Sequence, residues 1–244
     1  LAVDIVAPTT LKALLEKHLD LTRLAQVAQG ETVTDTELSR LLDASPGQVR
    51  ELLQTEGYFA PTVKISRSTA RAEGAAGVDE RTGRTVRTGP TGSAERVVLE
   101  LTPGPQTQVT QNELIVTGDL AQAAQAGDAQ AVASLNTWRS GWSLKEARPF
   151  RNADWVDAKD QALSRLRALG YLSATLVRSG VDIDPQQHLA TVHLEMSSGP
   201  LFKRGEVVVE GLKLQDPQIA LNLLSLPAGT PLVESLLLDA QDRI

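Results

Sequence analysis

A helical pattern that ends in Gly57-Tyr58 and runs straight into a strand-like stretch occurs again at Gly170-Tyr171, 113 positions later. Each copy is followed by a second strand-like run that ends in Gly-Pro, at Gly104-Pro105 and Gly199-Pro200. Each Gly-Pro leads into an apolar run that ends in glycine: Leu114-Ile115-Val116-Thr117-Gly118 and Val207-Val208-Val209-Glu210-Gly211. Self-similarity at this scale marks repeated supersecondary units. The chain therefore reads as a string of small α+β units and not as one large enzyme domain.

Composition narrows the function classes. The 244 residues favour more than one domain, and 41% hydrophobic residues suffice for packed cores. Aromatics are only 3%, so Leu, Val and Ala must fill those cores. The net charge of −6 argues against broad binding to a phosphate backbone and against a polybasic membrane patch. With no cysteine, disulfides, zinc-thiolate sites and thiol catalysis are excluded together. No apolar run approaches the ~18–20 residues of a membrane-spanning helix. No signal peptide is visible at Leu1.

Read along the chain, Leu1 to Ala7 is a first strand. Pro8-Thr9-Thr10 opens a helix with Leu11, Leu14, Leu15, His18 and Leu19 on one face. A short connection follows. Thr34, with Glu37 three residues on, resembles a capping box for a helix through about Leu42. Ser45-Pro46 then starts a further helix, with serine at the N-cap and proline at the first helical position. Val49, Leu52 and Leu53 form its apolar stripe.

Gly57 sits where the chain must leave that helix in the left-handed conformation. Counting back from it places Leu53 three residues inside the cap, with Tyr58 just outside. A Schellman stop wants an apolar contact between those two positions. The second copy gives the same count with Gly170, Tyr171 and Leu166.

Thr62, Val63, Lys64 and Ile65 read as a strand, and Pro61 assigns it to a sheet edge. Residues from about Arg67 to Glu95 are Gly, Thr, Arg, Ala and Ser with few apolar side chains, which reads as a long flexible loop. Arg96 to Thr102 is the returning strand. The second unit starts near Glu113 with a strand from Leu114 to Thr117. Helical patterns cover about Ala129–Trp138 and Ala153–Leu169, the latter with Trp155, Ala162, Leu163 and Leu166 inward. Strands follow at about Ala174–Ile183 and Leu189–Ser197, joined by Asp184-Pro185-Gln186-Gln187. The third unit begins with Val207–Glu210, then a helix from Asp216-Pro217 to about Leu224 and another from Thr230-Pro231. Its Gly-Tyr and two strands are not reached by Ile244.

The order β-α-α-β-β fixes a topology. Strands two and three form a hairpin, and strand three lies parallel to strand one at the centre. Strand two stands at an edge, and the helices cover one face. The fold class is α+β: tandem modules, each a three-stranded mixed sheet. An open edge offers unpaired N–H and C=O groups to another chain.

The Glu56-Gly57-Tyr58-Phe59-Ala60-Pro61 segment, the Leu169-Gly170-Tyr171-Leu172 segment and the Gly-Pro…Val-x-Gly joints resemble those of POTRA domains, the polypeptide-transport-associated modules of outer-membrane barrel assembly factors. The pattern is most similar to the outer-membrane subunits of translocation and assembly modules. The resemblance spans the whole chain, as module 1 at 1–104, module 2 at 105–200 and a partial module 3 at 201–244. The polar loop at about 67–95 departs from the pattern, as does the unfinished third unit. The resemblance implies a periplasmic scaffold at the outer membrane of a Gram-negative bacterium, without enzymatic activity or cofactor. It implies outer-membrane protein or autotransporter clients, a long periplasmic partner of the TamB type, and a membrane barrel beyond Ile244. A two-partner secretion transporter or a cell-division scaffold carries related modules.

A mixed sheet with a free edge can bind by β-augmentation, in which main-chain hydrogen bonds give affinity. The candidate edges are Thr62, Val63, Lys64 and Ile65 in the first unit and Thr175, Leu176, Val177 and Arg178, extending to Gly180, in the second. Other chemistry is sparse. His18, His188 and His193 lack metal-ligand spacing. His18 reads as half-buried packing at a helix end, and the other two as surface groups flanking a strand. Asp182 and Asp184 fall on one strand face, open to a hydrolase-type acid/base reading or to service in a solvated turn. Asp154, Asp157 and Asp160 complement a helix dipole. Gly74 to Gly92 has no Walker spacing. Trp138, Trp142 and Trp155 read as core or as a groove lining. Arg148 and Phe150 stand before the long helix, as a brace at a module join.

Overall fold

A computed structural model of the chain describes residues 1–27, 34–71, 77–78, 85–86, 93–208, 210, 222, 224 and 226–243. Two compact units emerge, Leu1–Gln106 and Thr107–Ile244.

In unit 1, β1 (Ala2–Val6) is followed by α1 (Thr9–His18), α2 (Asp20–Val27) and α3 (Asp35–Thr55). Then come β2 (Thr62–Arg71), the two-residue strands β3 (Gly77–Val78) and β4 (Thr85–Val86), and β5 (Ser93–Thr102). The sheet order is β1-β5-β2. β5 lies at the centre, parallel to β1 (Ile5 opposite Leu99) and antiparallel to β2 (Ile65 opposite Leu99). Val97, Leu99 and Leu101 of β5 face Leu15, Leu38 and Leu53 of the helices in one buried cluster. Arg96 and Glu100 point to the uncovered face.

Four details depart from the sequence pattern. The connection after α1 is itself a helix. Leu19 breaks α1 with an extended ψ of 128°. α2 is tied at its start to α3, where the Gln48 amide donates to Asp20 Oδ2 at 2.5 Å. Its buried Leu21 stands beside Leu19, a spacing that gives no helical period. His18 is exposed and not half-buried, because Leu11, Leu15 and Leu19 already fill the core face.

The Ser45-Pro46 start does not exist either, since α3 runs through it without a break. Thr34 does cap α3, its Oγ1 accepting the Glu37 N–H at 3.3 Å. Ser45 is buried, and its hydroxyl donates back to the Leu41 carbonyl at 2.6 Å. Burial of Leu38, Val49 and Leu53 on one face holds both halves in line across the proline. Finally, 67–71 and 93–95 are strand and not loop, in register from Arg67↔Val97 to Arg71↔Ser93. Backbone pairing continues past the point where apolar side chains stop. Within the remainder β3 and β4 pair antiparallel, and residues 72–76, 79–84 and 87–92 lie outside the described residues.

In unit 2, β6 (Gln108–Thr117) precedes α4 (Asp119–Gln125), α5 (Ala129–Ser140) and α6 (Asn152–Ala168). The hairpin of β7 (Thr175–Asp184) and β8 (Leu189–Ser197) follows, then α7 (Glu234–Gln241). The order β6-β8-β7 repeats that of unit 1, with β8 parallel to β6 and antiparallel to β7. Ala190, Val192, Leu194 and Met196 are the buried face of β8. β6 starts six residues before the expected Leu114, because a register shift between Val109 and Gln111 breaks its alternation. Residues 147–149 run beside this start: Val109 donates to the Arg148 carbonyl at 2.9 Å, and Ala147 to that of Val109 at 2.8 Å. Phe150 is buried at the end of the same segment.

All three tryptophans are buried in unit 2. Trp138 donates to the Ala162 carbonyl and Trp142 to Asn112 Oδ1, each at 2.9 Å. The rings of Trp142 and Trp155 meet edge-on at 6.1 Å. These contacts belong to a core, not to a groove.

Both helix stops have the same geometry. Gly57 has φ +86°, its N–H donates to Gln54 at 3.1 Å, and the Tyr58 N–H reaches Leu53 at 3.0 Å. Gly170 has φ +95°, its N–H donates to Arg167 at 2.9 Å, and the Tyr171 N–H reaches Leu166 at 3.1 Å. These are the two bonds of a Schellman motif, and they occupy carbonyls that the helix end would leave unpaired. Leu53 and Leu166 are fully buried. Tyr58 packs on the cluster that holds Leu53, and Tyr171 is itself buried. The repeat extends to the closing Gly-Pro pairs. A Cβ on Gly104 would meet the Ala60 carbonyl oxygen, and one on Gly199 would fall on Ser173 Oγ. Ala60 and Ser173 are each two residues past the tyrosine.

Beyond Gly199 the chain turns back on α6. The Phe202 N–H donates to the Gly170 carbonyl at 2.9 Å, and Leu232 donates to Phe202 at 2.9 Å. Lys203 and Pro231 form an isolated antiparallel bridge. This bridge occupies Pro231, so α7 begins at Glu234 and not at Thr230-Pro231. The strand expected at Val207–Glu210 is absent among the described residues 207, 208 and 210, and Val208 is 74% exposed. β1 and β6 are each held by the strand that closes their own unit, and the described residues after 210 include no such strand. The helix expected from Asp216-Pro217 to Leu224 lies, apart from 222 and 224, outside the described residues.

Candidate partner-binding edges

Among the described residues β2 pairs only with β5, and β7 only with β8, which leaves one side of each without a strand partner there. In β2, Val63 and Ile65 lean on the core while Thr62 and Lys64 face outward. Pro61 stands at its start. Farther along, Arg67 binds Glu95 of β5 at 2.5 Å and Asp35 at the start of α3. The two carboxylates hold the guanidinium above its ordinary pKa, Glu95 first and Asp35 second. Arg67 thus ties the edge strand to its neighbour and to the helix layer.

β7 is the more open edge. Its first five residues, Thr175 to Ser179, are all exposed. Two are apolar: Leu176 at 41% and Val177 at 55% exposure. The register skips Val177, with Leu176 opposite Met196 and Arg178 opposite Glu195. Val177 is therefore the extra residue of a β-bulge, a device common at sheet edges that bends the strand and increases its twist. A periodic reading of the sequence could not find it, because one extra residue leaves composition unchanged.

Across the uncovered face of this sheet, His193 of β8 sits between two carboxylates. Its Nδ1 faces Glu113 Oε2 of β6 at 2.7 Å, and its Nε2 faces Asp182 Oδ2 of β7 at 3.0 Å. Gly180 lies directly opposite His193 and leaves the ring free to reach Asp182 diagonally. The carboxylates occupy opposite ring nitrogens and do not converge on one point. Among the described residues, no group of three such side chains could hold a metal.

Asp182 and Asp184 do separate work. Asp182 serves His193, and Asp184 Oδ1 accepts the N–H groups of Gln186 at 2.9 Å and Gln187 at 3.0 Å, which shapes the hairpin turn. Both are exposed, so the acid/base reading lacks the buried cleft it needs. His188 stands in the same turn at φ +58°.

The sheets also have edges at β1 and β6, which the sequence reading did not weigh. Residues 147–149 cover the start of β6. No helix among the described residues is long and apolar enough to cross a membrane.

The architecture is that of tandem α+β modules, each a three-stranded mixed sheet with helices on one face. No family model matches the chain, and no curated protein does. Among solved structures the chain is similar to POTRA domains 3–5 of BamA from Haemophilus influenzae, at 16% identity and a TM-score of 0.41, over 99% of this chain and 82% of that one. It is similar to POTRA domains 1–3 of the periplasmic domain of Omp85 from Anabaena, at 14% identity and a TM-score of 0.33, over 99% and 82%. POTRA domain 4 of Haemophilus influenzae BamA matches at 23% identity and a TM-score of 0.26, over 39% of this chain and 97% of that one.

Proposed function

We propose that the chain is an array of POTRA-type modules, two complete and the front of a third at 201–244, that scaffolds outer-membrane protein assembly from the periplasmic side. The observation that carries this reading is the open β7 edge, where Thr175 to Ser179 are exposed on a strand paired on one side only. An incoming strand satisfies its own backbone groups there, so the edge accepts clients with little regard for their sequence. Thr62–Ile65 of β2 is the corresponding edge in unit 1. The finer assignment is a TamA-type factor of a Gram-negative bacterium, with a TamB-type periplasmic partner and autotransporter clients. It rests on the resemblance of the Gly-Tyr and Gly-Pro segments.

The test replaces Val177 by proline. Proline is tolerated at bulges and edges but removes a backbone donor. Pulldown of periplasmic proteins on immobilised chain should lose its strand-type partners with Val177→Pro while the far-UV circular dichroism is unchanged. Full retention of partners by a folded Val177→Pro chain rejects β7 as the binding edge.

A further inference from the structure

We infer that unit 2 carries a pocket for an arginine side chain presented by an apolar peptide. A cavity of about 900 Å³ lies between the α4–α5 pair and the segment that folds back after Gly199. That volume falls in the range of sites for small ligands and peptide side chains. Ala123, Ala131, Leu169, Leu201, Val233 and Leu236 form its apolar walls. Its ionisable groups are Asp119, Asp128, Tyr171 and Lys203, with Gln122, Gln130 and Ser134 as further polar lining.

Three observations point to a cation. Tyr171 is 5% exposed and lines the cavity, yet no described residue hydrogen-bonds its hydroxyl. The ring is buried while its hydroxyl opens onto the cavity, where a ligand donor can reach it. Asp119 makes no ion pair or hydrogen bond through its carboxylate among the described residues. Asp128 uses Oδ1 to cap α5, accepting the Gln130 and Ala131 N–H groups, while Oδ2 accepts from no described residue. Both carboxylates act on the phenol: its pKa is raised by burial first, then by the charges of Asp119 and Asp128. Among the described residues neither carboxylate is ion-paired, although Lys203 lies at the same cavity.

The choice of arginine follows from geometry. Five N–H donors on a planar fork can serve two carboxylates and a phenol oxygen together, which three donors on a point-like ammonium do less well. The methylene stem suits the apolar walls. Lys203 is then free to meet a carbonyl of the bound peptide. The pocket is formed without the β7 edge, so it does not depend on strand capture.

The test uses the full 244-residue chain. The probe is a fluorescein-labelled Ac-Gly-Leu-Arg-Leu-Gly-amide peptide, compared with its citrulline counterpart, which keeps the shape and loses the charge. Fluorescence anisotropy should show the arginine peptide binding about tenfold more tightly, the loss expected for one charged hydrogen bond. Asp119→Asn should abolish that preference, Tyr171→Phe should reduce it, and Val177→Pro should leave it intact. Equal binding of the two peptides to the wild-type chain overturns the proposal, as does absence of binding to either. An undiminished preference in a folded Asp119→Asn chain does the same.

Discussion

The Phe202 N–H donates to the Gly170 carbonyl at 2.9 Å, so the residue that stops α6 also receives the chain returning from β8. Unit 1 has a counterpart, since the Gln106 side-chain amide donates to the Glu56 carbonyl at 2.7 Å. In both units the chain just after Gly-Pro folds back on the helix stop, through Gln106 one residue on in unit 1 and Phe202 two residues on in unit 2. Gly170 is constrained twice. Its φ is +95°, and a Cβ there would meet Leu201 Cδ1 at 3.0 Å and the Leu232 carbonyl oxygen at 3.4 Å. Gly127 has a similar φ of +88° with nothing within 4 Å of a Cβ. Gly127→Ala should cost about 1–2 kcal/mol, the strain of the left-handed conformation alone. Gly170→Ala should cost clearly more. All three tryptophans lie in unit 2, so urea unfolding followed by tryptophan fluorescence reads both variants. Equal losses would mean that the docked segment does not press on Gly170.

Gly47 offers the opposite case. It stands inside α3, exposed, with nothing within 4 Å of a Cβ. Glycine there loses backbone entropy on folding and gains no contact. Gly47→Ala should stabilise unit 1 by about 0.5–1 kcal/mol. The melting temperature by far-UV circular dichroism should rise. A fall would show that the helix bends at Pro46-Gly47 in a way alanine cannot follow.

Leu166 is fully buried at the third position before the cap of α6, and its carbonyl receives the Tyr171 N–H. Leu166→Ala keeps the backbone bond and removes only side-chain volume. The expected loss is about 2–5 kcal/mol from transfer and cavity together. The midpoint of the fluorescence-detected urea transition should fall with little change in its slope. A loss below about 1 kcal/mol would mean that the surroundings of α6 collapse onto the space.

What the sequence disclosed depended on whether a local rule had a rival. The helix stops at Gly57 and Gly170 were readable because a left-handed residue nearly demands glycine. The turn after Asp184 and the alternation of β8 were readable for similar reasons: turn chemistry and a half-buried strand leave period-two signatures. α4 was not readable, because Leu120 is its one buried residue and a single contact has no period. Ser45-Pro46 misled because burial across α3 outweighs a local start signal. Val207–Glu210 carries a strand composition, but β-propensity needs a partner strand, and the described residues supply none. The edges followed from topology, whereas the bulge at Val177 and the polar groups lining the unit 2 cavity arise only when distant segments meet.

Tyr171 gives the chain a pH dependence of definite sign. Burial, and then the charges of Asp119 and Asp128, disfavour the phenolate, so its pKa in the folded state is raised above the ordinary 10.0. Below pH 10 both folded and unfolded states keep the proton, and the stability of unit 2 is unaffected by this group. Above it the unfolded chain releases the proton while the folded chain retains it. Stability then falls as pH rises toward the folded-state pKa, with a limiting slope of about 1.4 kcal/mol per pH unit for one proton. Tyr171→Phe keeps the ring and removes the proton. Between pH 9 and 11 the wild-type chain should lose more stability than the variant in fluorescence-detected urea unfolding, with the two curves parallel below pH 9. Parallel curves across the whole range would show that the folded phenol ionises as readily as a free one.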